Sequence, residues 1–540
     1  MTEEMNVCVD VLEQKSQNLY QTHIKENFNI YGVASILYGI LYVFCMYKND
    51  AGITFPLMVV GTIGYIVFVL HKLDMKLKKE SSFYLISMLL LGISTCCTDD
   101  WRIIFFNKTG VFLLTLVMVL GIIYDTSKWN LGKYLGSICR VCMMSVAEVC
   151  KPFSDAIWYC KNRLGKKHSK YLYLLIGVGI TIPVFVVVFS LLVSADAVFR
   201  DKADQFLEQV ELGDFIGMAL MFLFSTIASY CMVAYMSKKD IKEEVADSRK
   251  WEPLIGIPLA SVLSLLYLVF SGIQIVYLFM GNMQLPEGYT YAEYAREGFF
   301  QLLAVSIINL VIVLIGLYYF KPSRVLKAVL AIMSLCTFIM IASSAMRMVI
   351  YIQYYYLTFL RILVLWSLAV LTLIFAGVIA YIVKERFPLF RYSLVVFTCF
   401  YIGLSFSHPD YWIAKVNLAS TNETRSEFFK GSAYQDYDFL SGLNADAAPV
   451  LVEWIKEEGY SLDCYYIDTM SFRAYQILNN IPVDGEKKTY EEILAEQKLW
   501  CAYRYLGDLQ MECKELSLRE FNLSRWMADF EVLYQTTKGM

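Results

Sequence analysis

Charge is scarce in this chain. Only 18% of its 540 residues are charged, where soluble domains carry roughly a quarter, so most of it is too apolar for water. Histidine is scarcer still, at His23, His71, His168 and His408 alone, which argues against a multi-histidine metal or haem site. The GxxxxGK[ST] phosphate loop, the HExxH metal motif and the G-x-S-x-G nucleophile elbow are all missing, so the common signatures of nucleotide binding, metalloproteolysis and serine hydrolysis are absent. The opening MTEEMNVCVDVLEQKS lacks the basic region and small-residue cleavage site of a signal peptide. The first apolar block is therefore expected to be a retained helix. Cys139-x-x-Cys142, with Cys150 and Cys160, has no second CxxC and no histidine nearer than His168. Small apolar side chains or an acylation site explain these cysteines better than zinc. No metal, no cofactor and no catalytic constellation is expected.

What the chain has instead is hydrophobicity, 57% of residues with mean hydropathy +0.49. It is concentrated in 30–407, in blocks of about twenty, the length of helix that crosses a bilayer core about 30 Å thick. Eleven spans are expected near 30–47, 51–71, 82–98, 103–124, 171–194, 214–236, 253–280, 298–320, 326–347, 358–383 and 391–407. The fourth is interrupted by Asn107 and Lys108. Numbering the loops alternately from a cytoplasmic N-terminus puts 24 Lys and Arg on the inner side and eight on the outer, the asymmetry that sets orientation. The fold class is thus all-α, a polytopic bundle with the N-terminus inside and the C-terminus outside. The expected domains are a cytoplasmic segment, 1–29, a transmembrane domain, 30–407, and a small helical extracytoplasmic domain, 408–540.

Within that frame, 132–167 mixes apolar and basic residues at helical spacing, as a helix in the headgroup layer does. The segment Asp196–Asp214 suggests a short surface helix. In the tail, apolar residues recur at three and four, favouring helices over strands, and Asp446-Ala-Ala-Pro449 reads as a helix start. The tail carries 22 acids against 13 basic residues, which argues against nucleic acid as a partner. Cys464, Cys501 and Cys513 leave a disulfide between two of them open.

The stretch Ser343–Trp366, SSAMRMVIYIQYYYLTFLRILVLW, carries charge between two apolar runs. Arg347, Tyr351, Tyr354, Thr358 and Arg361 are spaced to share one helix face. One rod over 326–383 would be about 87 Å long, so the chain must reverse near Tyr354–Thr358. On the same side, other polar residues collect at span ends: Asp99, Asp100, Asp196, Glu293, Arg296, Glu297, His408 and Asp410. Charges near hydrocarbon pair with one another or line a wet cavity. Asp99, Asp100, Asp196, Glu293, Arg296, Arg347, Tyr351, Arg361, His408 and Asp410 are accordingly the candidate ligand-binding cluster, against the plainer reading that each is a separate interfacial anchor or snorkelling side chain. For His408, before Pro409-Asp410, a capping or turn role competes.

LLGISTCCTDDW (90–101), VSADAVF (193–199), YAEYAREGFFQL (291–302), RMVIYIQYYYLTFLR (347–361), HPDYWIAKVNL (408–418) and YDFLSGLNADAAP (437–449) together resemble the bacterial multi-pass membrane proteins grouped as domain of unknown function 4173, related to 4153. The resemblance covers roughly 83–450, with an echo in REFNLSR (519–525). It implies a bacterial cytoplasmic membrane and offers no activity. Similar proteins usually have Gly where this chain has Tyr356, which puts the geometry of the reversal in question. Two functions follow as expectations. One is a transport-like or lipid-handling protein with an outer polar cluster, its partners membrane lipids. The other is a scaffold or regulator that binds an extracytoplasmic protein through its C-terminal domain. An intramembrane enzyme ranks last. No span is obviously broken at mid-bilayer, and Pro183 is the best candidate for a kink. Oligomeric state is not legible.

Overall fold

The computed structural model describes residues 19–126, 129–164, scattered positions between 177 and 202, 212–241, 243, 249–276, 291–419, 434–460, 462, 490–513 and 517–538. Among them every regular element is helical. Among the described residues eight helices are long and apolar enough to cross a membrane, or nine if one bent pair counts as a span. By packing, the chain forms two compact units.

The first unit is Met1–Cys96, Phe106–Val245 and Leu518–Glu520. Its helices are α1 (Phe28–Met46), α2 (Thr54–Lys72), α3 (Ser81–Cys97), α4 (Trp101–Ile123), α5 (Leu131–Ala147), α6 (Lys151–Tyr159) and α7 (Leu212–Met236). The ends of α3 and α4 that meet, Cys97–Phe105, belong to the second unit. α1 packs against α2 and α7, and α7 against α5 and α6. Lipid tails are as apolar as the helix surfaces, so close backbone approach matters more here than apolar burial. Gly39 supplies it: a side chain there would collide with Thr226 and Phe222 of α7. Asn107 leaves α4 unbroken because it is fully buried and donates to Thr95 Oγ1 of α3 at 3.2 Å. Asn49, in the linker between α1 and α2, donates to Thr54 Oγ1 at 2.7 Å and to the Arg519 carbonyl at 2.8 Å. The helix expected over 132–167 is broken in two. Pro152 sits in the first turn of α6, where its missing N–H costs nothing. Tyr134, Ser137 and Val141 of α5 face inward, while Leu135, Met143 and Val146 are exposed. Most of the fifth expected span, Pro183 included, and 203–211 of the Asp196–Asp214 segment lie outside the described residues.

The second unit is Cys97–Phe105, Ala246–Ser517 and Phe521–Met540. It contains α8 (Pro253–Gln274), α9 (Tyr291–Tyr319), α10 (Arg324–Tyr355), α11 (Phe359–Val383), α12 (Leu389–Ser405), α13 (Pro409–Ala419), α14 (Tyr434–Ser441), α15 (Ala448–Glu457), α16 (Tyr490–Cys513) and α17 (Leu523–Lys538). α10 packs on α8, α9 and α11. Its 32 residues make a rod of about 48 Å, longer than the expected span, because the polar face continues the helix up to the reversal. The chain then turns at Tyr356–Thr358, as the length argument requires. Tyr356 sits at φ 69°, ψ 168°, a region that glycine enters freely and other residues enter only under constraint. α12 and α13 meet at a 60° bend. Beyond it, α13 to α17 share a core of Ile413, Leu440, Leu451, Val452, Ile455, Leu506, Ala528 and Val532. α15 starts where the Asp446-Ala-Ala-Pro449 signal puts it, with Pro449 in its first turn.

Candidate functional site

Three short segments meet the linker Thr98–Asp100 within the second unit. The linker leads into α4, and Asp100 caps that helix: its carbonyl receives the Ile104 N–H at 2.9 Å and its carboxylate the Arg102 N–H at 2.9 Å, as an N-cap aspartate does. Asp100 is wholly buried, so it needs a counter-charge. Arg102 supplies it, donating from Nε and Nη2 to the two Asp100 oxygens, each at 2.7 Å. The same Nη2 reaches Asp410 Oδ1 of α13 at 2.8 Å, and the guanidinium lies 3.9 Å over the Phe359 ring.

Asp446 is the second centre. It accepts from the Thr98 hydroxyl at 2.5 Å, from the Asp99 N–H at 3.2 Å and from the Ser524 hydroxyl. His408 Nδ1 stands 3.4 Å from its Oδ1. His408 itself has φ 47°, and its carbonyl receives the Tyr411 N–H at 3.1 Å; the turn role is real, and the ring also faces the cluster. Asn522 caps α17 by accepting the Ser524 N–H at 3.0 Å, and it donates to the Thr98 carbonyl at 2.9 Å. Arg525 Nε donates to Asp99 Oδ1 at 2.7 Å. Glu512 of α16 also meets Asp99. Burial and the neighbouring Asp99 charge push the Glu512 carboxyl up to about 7. Burial likewise raises Asp99, against the pull of Arg525. Four buried carboxylates, Asp99, Asp100, Asp410 and Asp446, are thus held by two arginines, one imidazole and a set of hydroxyl and amide donors. Chemically this is a clasp. It fastens the helices beyond α13 to a linker between two apolar helices, and its oxygens point at one another's partners.

The structure therefore brings Asp99, Asp100, His408 and Asp410 together, and gives Arg347, Tyr351 and Arg361 other partners within the second unit. Arg347 is buried against Gly298 of α9, where any side chain would strike the guanidinium. Arg361 donates to the Tyr355 and Tyr356 carbonyls, closing the C-terminus of α10, and stacks 4.3 Å from the Tyr351 ring. Tyr351 packs on Phe299, with ring centroids 5.7 Å apart. Asp196 is exposed in the first unit and accepts the Phe199 N–H at 2.6 Å, a local cap. The side chains of Glu293 and Arg296 lie outside the described residues. Sequence reasoning missed Arg102, Asp446, Asn522, Ser524, Arg525 and Glu512 as cluster members. The signal was available in the segments NADAAP and REFNLSR, whose polar residues follow no apolar period.

A different site lies in the first unit. Helices α1, α2, α4, α5 and α7 line an open-sided cavity of about 1050 Å³. Its walls include Met58, Val69, Leu116, Val119, Ile227 and Met236. The hydroxyls of Thr62, Thr115 and Ser225 in the wall bond back to carbonyls of their own helices at 2.8–2.9 Å, so they offer the interior little polarity. Among the described lining residues Lys108 alone carries a charge. Its Nζ is 3.2 Å from Asp50, which is almost fully exposed, so that pair is weak and screened. From Lys108 to Ile123 the lining of α4 covers about 22 Å. Among the described residues no group of three metal-ligating side chains is present. Cys501 and Cys513 are free thiols, and Cys464 lies outside the described residues.

No curated protein and no solved structure matches the chain. One family matches 85–454, from the start of α3 into α15, and so takes in the linker, His408, Asp410 and Asp446 while stopping short of Asn522 and Arg525. With more than two thirds of its residues in that match, this multi-pass membrane protein belongs to the family described as Domain of unknown function (DUF4153).

Proposed function

We propose that the protein handles lipid, and that the cavity of the first unit holds the acyl chains of a membrane amphiphile. The carrying observation is the cavity of about 1050 Å³, at the upper end of ligand pockets, roughly 300–1,000 Å³. Its apolar walls make water a poor occupant, since apolar voids stay dry, and an empty void forfeits dispersion contacts with its lining. Acyl chains remedy both. The lining of α4 runs about 22 Å, more than the ~15 Å of one leaflet's hydrocarbon, so a full chain fits. Lys108 at one end suits an acidic headgroup, phosphate or carboxylate.

In this reading the polar clasp is structural, and it holds the C-terminal helices in place while lipid enters and leaves. The excess of basic residues in the inner loops supports a cytoplasmic N-terminus and an outer face for the clasp and for 408–540. The motif resemblance supports the narrower grouping 4173 and a bacterial cytoplasmic membrane. Filling the cavity tests the function. Val119→Trp and Ile227→Trp together should cut the lipid that co-purifies with the protein, read by mass spectrometry of the purified sample. Undiminished lipid in a folded double variant refutes the reading.

A further inference from the structure

Helix α17 has two apolar faces. Ala528 and Val532 are completely buried on one, packed against α15 and α16. Leu523, Trp526, Met527, Phe530, Leu533 and Tyr534 are 37–56% exposed on the other. At about 100° per residue these six fall in an arc of roughly 120°, opposite the buried face. The charged residues Arg525, Asp529 and Glu531 occupy its flanks. Trp526, Phe530 and Tyr534 stack successively, with ring centroids 5.9 and 6.4 Å apart, so the exposed face is a continuous aromatic strip.

We propose that this strip lies in the interfacial layer of the same bilayer that the spans cross, as a second and monotopic membrane contact. Position is the first reason. The α17 end is fixed by Asn522 to the Thr98 carbonyl and by Arg525 to Asp99, and both targets sit in a three-residue linker between the apolar helix α3 and the span α4. A linker between two such helices lies at the membrane surface, so α17 begins at headgroup level. Composition is the second reason. Tryptophan and tyrosine favour the headgroup region, where a ring has both an apolar body and a polar edge to satisfy, and an exposed apolar arc beside a charged flank is the pattern of a helix lying in the interface. Arg525 and Lys538 balance Asp529 and Glu531, so the attraction comes from apolar area and does not need acidic lipid.

The test uses the full chain, one copy per nanodisc, in phosphatidylcholine carrying a photoactivatable diazirine near the headgroup end of its chains. Trypsin cuts after Arg525 and Lys538 and releases Trp526–Lys538 as one peptide. Lipid adducts should map to Trp526, Phe530 and Tyr534 but not to Ala528 or Val532, and should persist in high salt. Trp526→Ser with Phe530→Ser should lower labelling of the remaining peptide at least fivefold while labelling of α11 peptides stays constant, which shows that the spans are still inserted. Labelling of Trp526, Phe530 and Tyr534 no higher than that of the buried Ala528 and Val532 overturns the proposal. So does protection of the strip by a co-purified protein, seen as loss of the lipid adducts together with crosslinks from the Trp526–Lys538 peptide to that protein when a carboxylate-reactive crosslinker is added.

Discussion

Leu357 and Asn417 hold each other through both peptide groups: the Leu357 N–H donates to Asn417 Oδ1 at 2.7 Å, and Asn417 Nδ2 donates to the Leu357 carbonyl at 2.9 Å. The pair is buried and joins the reversal after α10 to α13. Asn417→Leu leaves two buried backbone groups without partners, so it should destabilise by about 3 kcal/mol, read as a fall in the thermal midpoint of the detergent-purified protein.

Tyr356, one residue earlier, is held at φ 69°, and an L side chain in this region costs about 1–3 kcal/mol. Tyr356→Gly removes that cost but gives the unfolded chain more freedom, which offsets part of it. The net expectation is a gain of about 1 kcal/mol. A midpoint that drops instead would show that the Tyr356 ring contributes more than its backbone costs.

Gly298 has no side chain because the Arg347 guanidinium occupies that space. Gly298→Val should cost about 1–3 kcal/mol through overpacking. In an Arg347→Ala background the same change should cost much less. A double-mutant cycle checks it, and strictly additive losses would mean that the two residues do not share the space.

Asp99 and Arg525 carry the clasp's longest-range pair. The Asp99 side chain is 2% exposed, so Arg525→Gln leaves a buried carboxylate poorly compensated and should cost about 3–5 kcal/mol. Adding Asp99→Asn should recover much of that loss. Limited proteolysis of α14–α17 and the thermal midpoint both report it.

Glu512 makes the stability depend on pH. Its carboxyl is raised from 4.5 to about 7, so between those values the folded state holds a proton that the unfolded state has lost. Its contribution is complete below pH 4.5 and is lost as pH rises through about 7. Glu512 is only partly withdrawn from water, and solvent screening reduces the effect to roughly 1 kcal/mol. Glu512→Gln should flatten the dependence relative to wild type and leave the protein more stable above pH 7, as paired thermal melts across the window would show.

Lys108 gives the cavity its polarity. Lys108→Gln should lower the ratio of acidic to zwitterionic lipid that co-purifies, several-fold, while total lipid changes little. An unchanged ratio separates acyl-chain binding, which would stand, from headgroup selection, which would not.

Eight of the eleven expected spans, or nine with the bent pair, stand among the described residues; they were legible in the sequence because the bilayer demands something local, an uninterrupted apolar helix of about 20 residues. The reversal near Tyr356 was legible for a related reason, since helical rise turns residue count into length. Neither inference needs to know what packs on what. The clasp does. Asp99 and Arg525 stand 426 positions apart, and helical periodicity carries no information beyond the neighbouring turns. The sequence therefore showed acids at span ends without showing which cations would meet them. Arg361 was expected to join those acids, but it donates to the Tyr355 and Tyr356 carbonyls and closes the end of its own hairpin, because the carbonyls that terminate a helix lack partners within it. The cavity is still further from the sequence, being the space that five helices leave when their side chains cannot fill it. Composition determined that this chain lives in a membrane and is built of helices; only tertiary structure, by bringing distant charges into contact and leaving apolar walls apart, decided where it is clasped and where it is hollow.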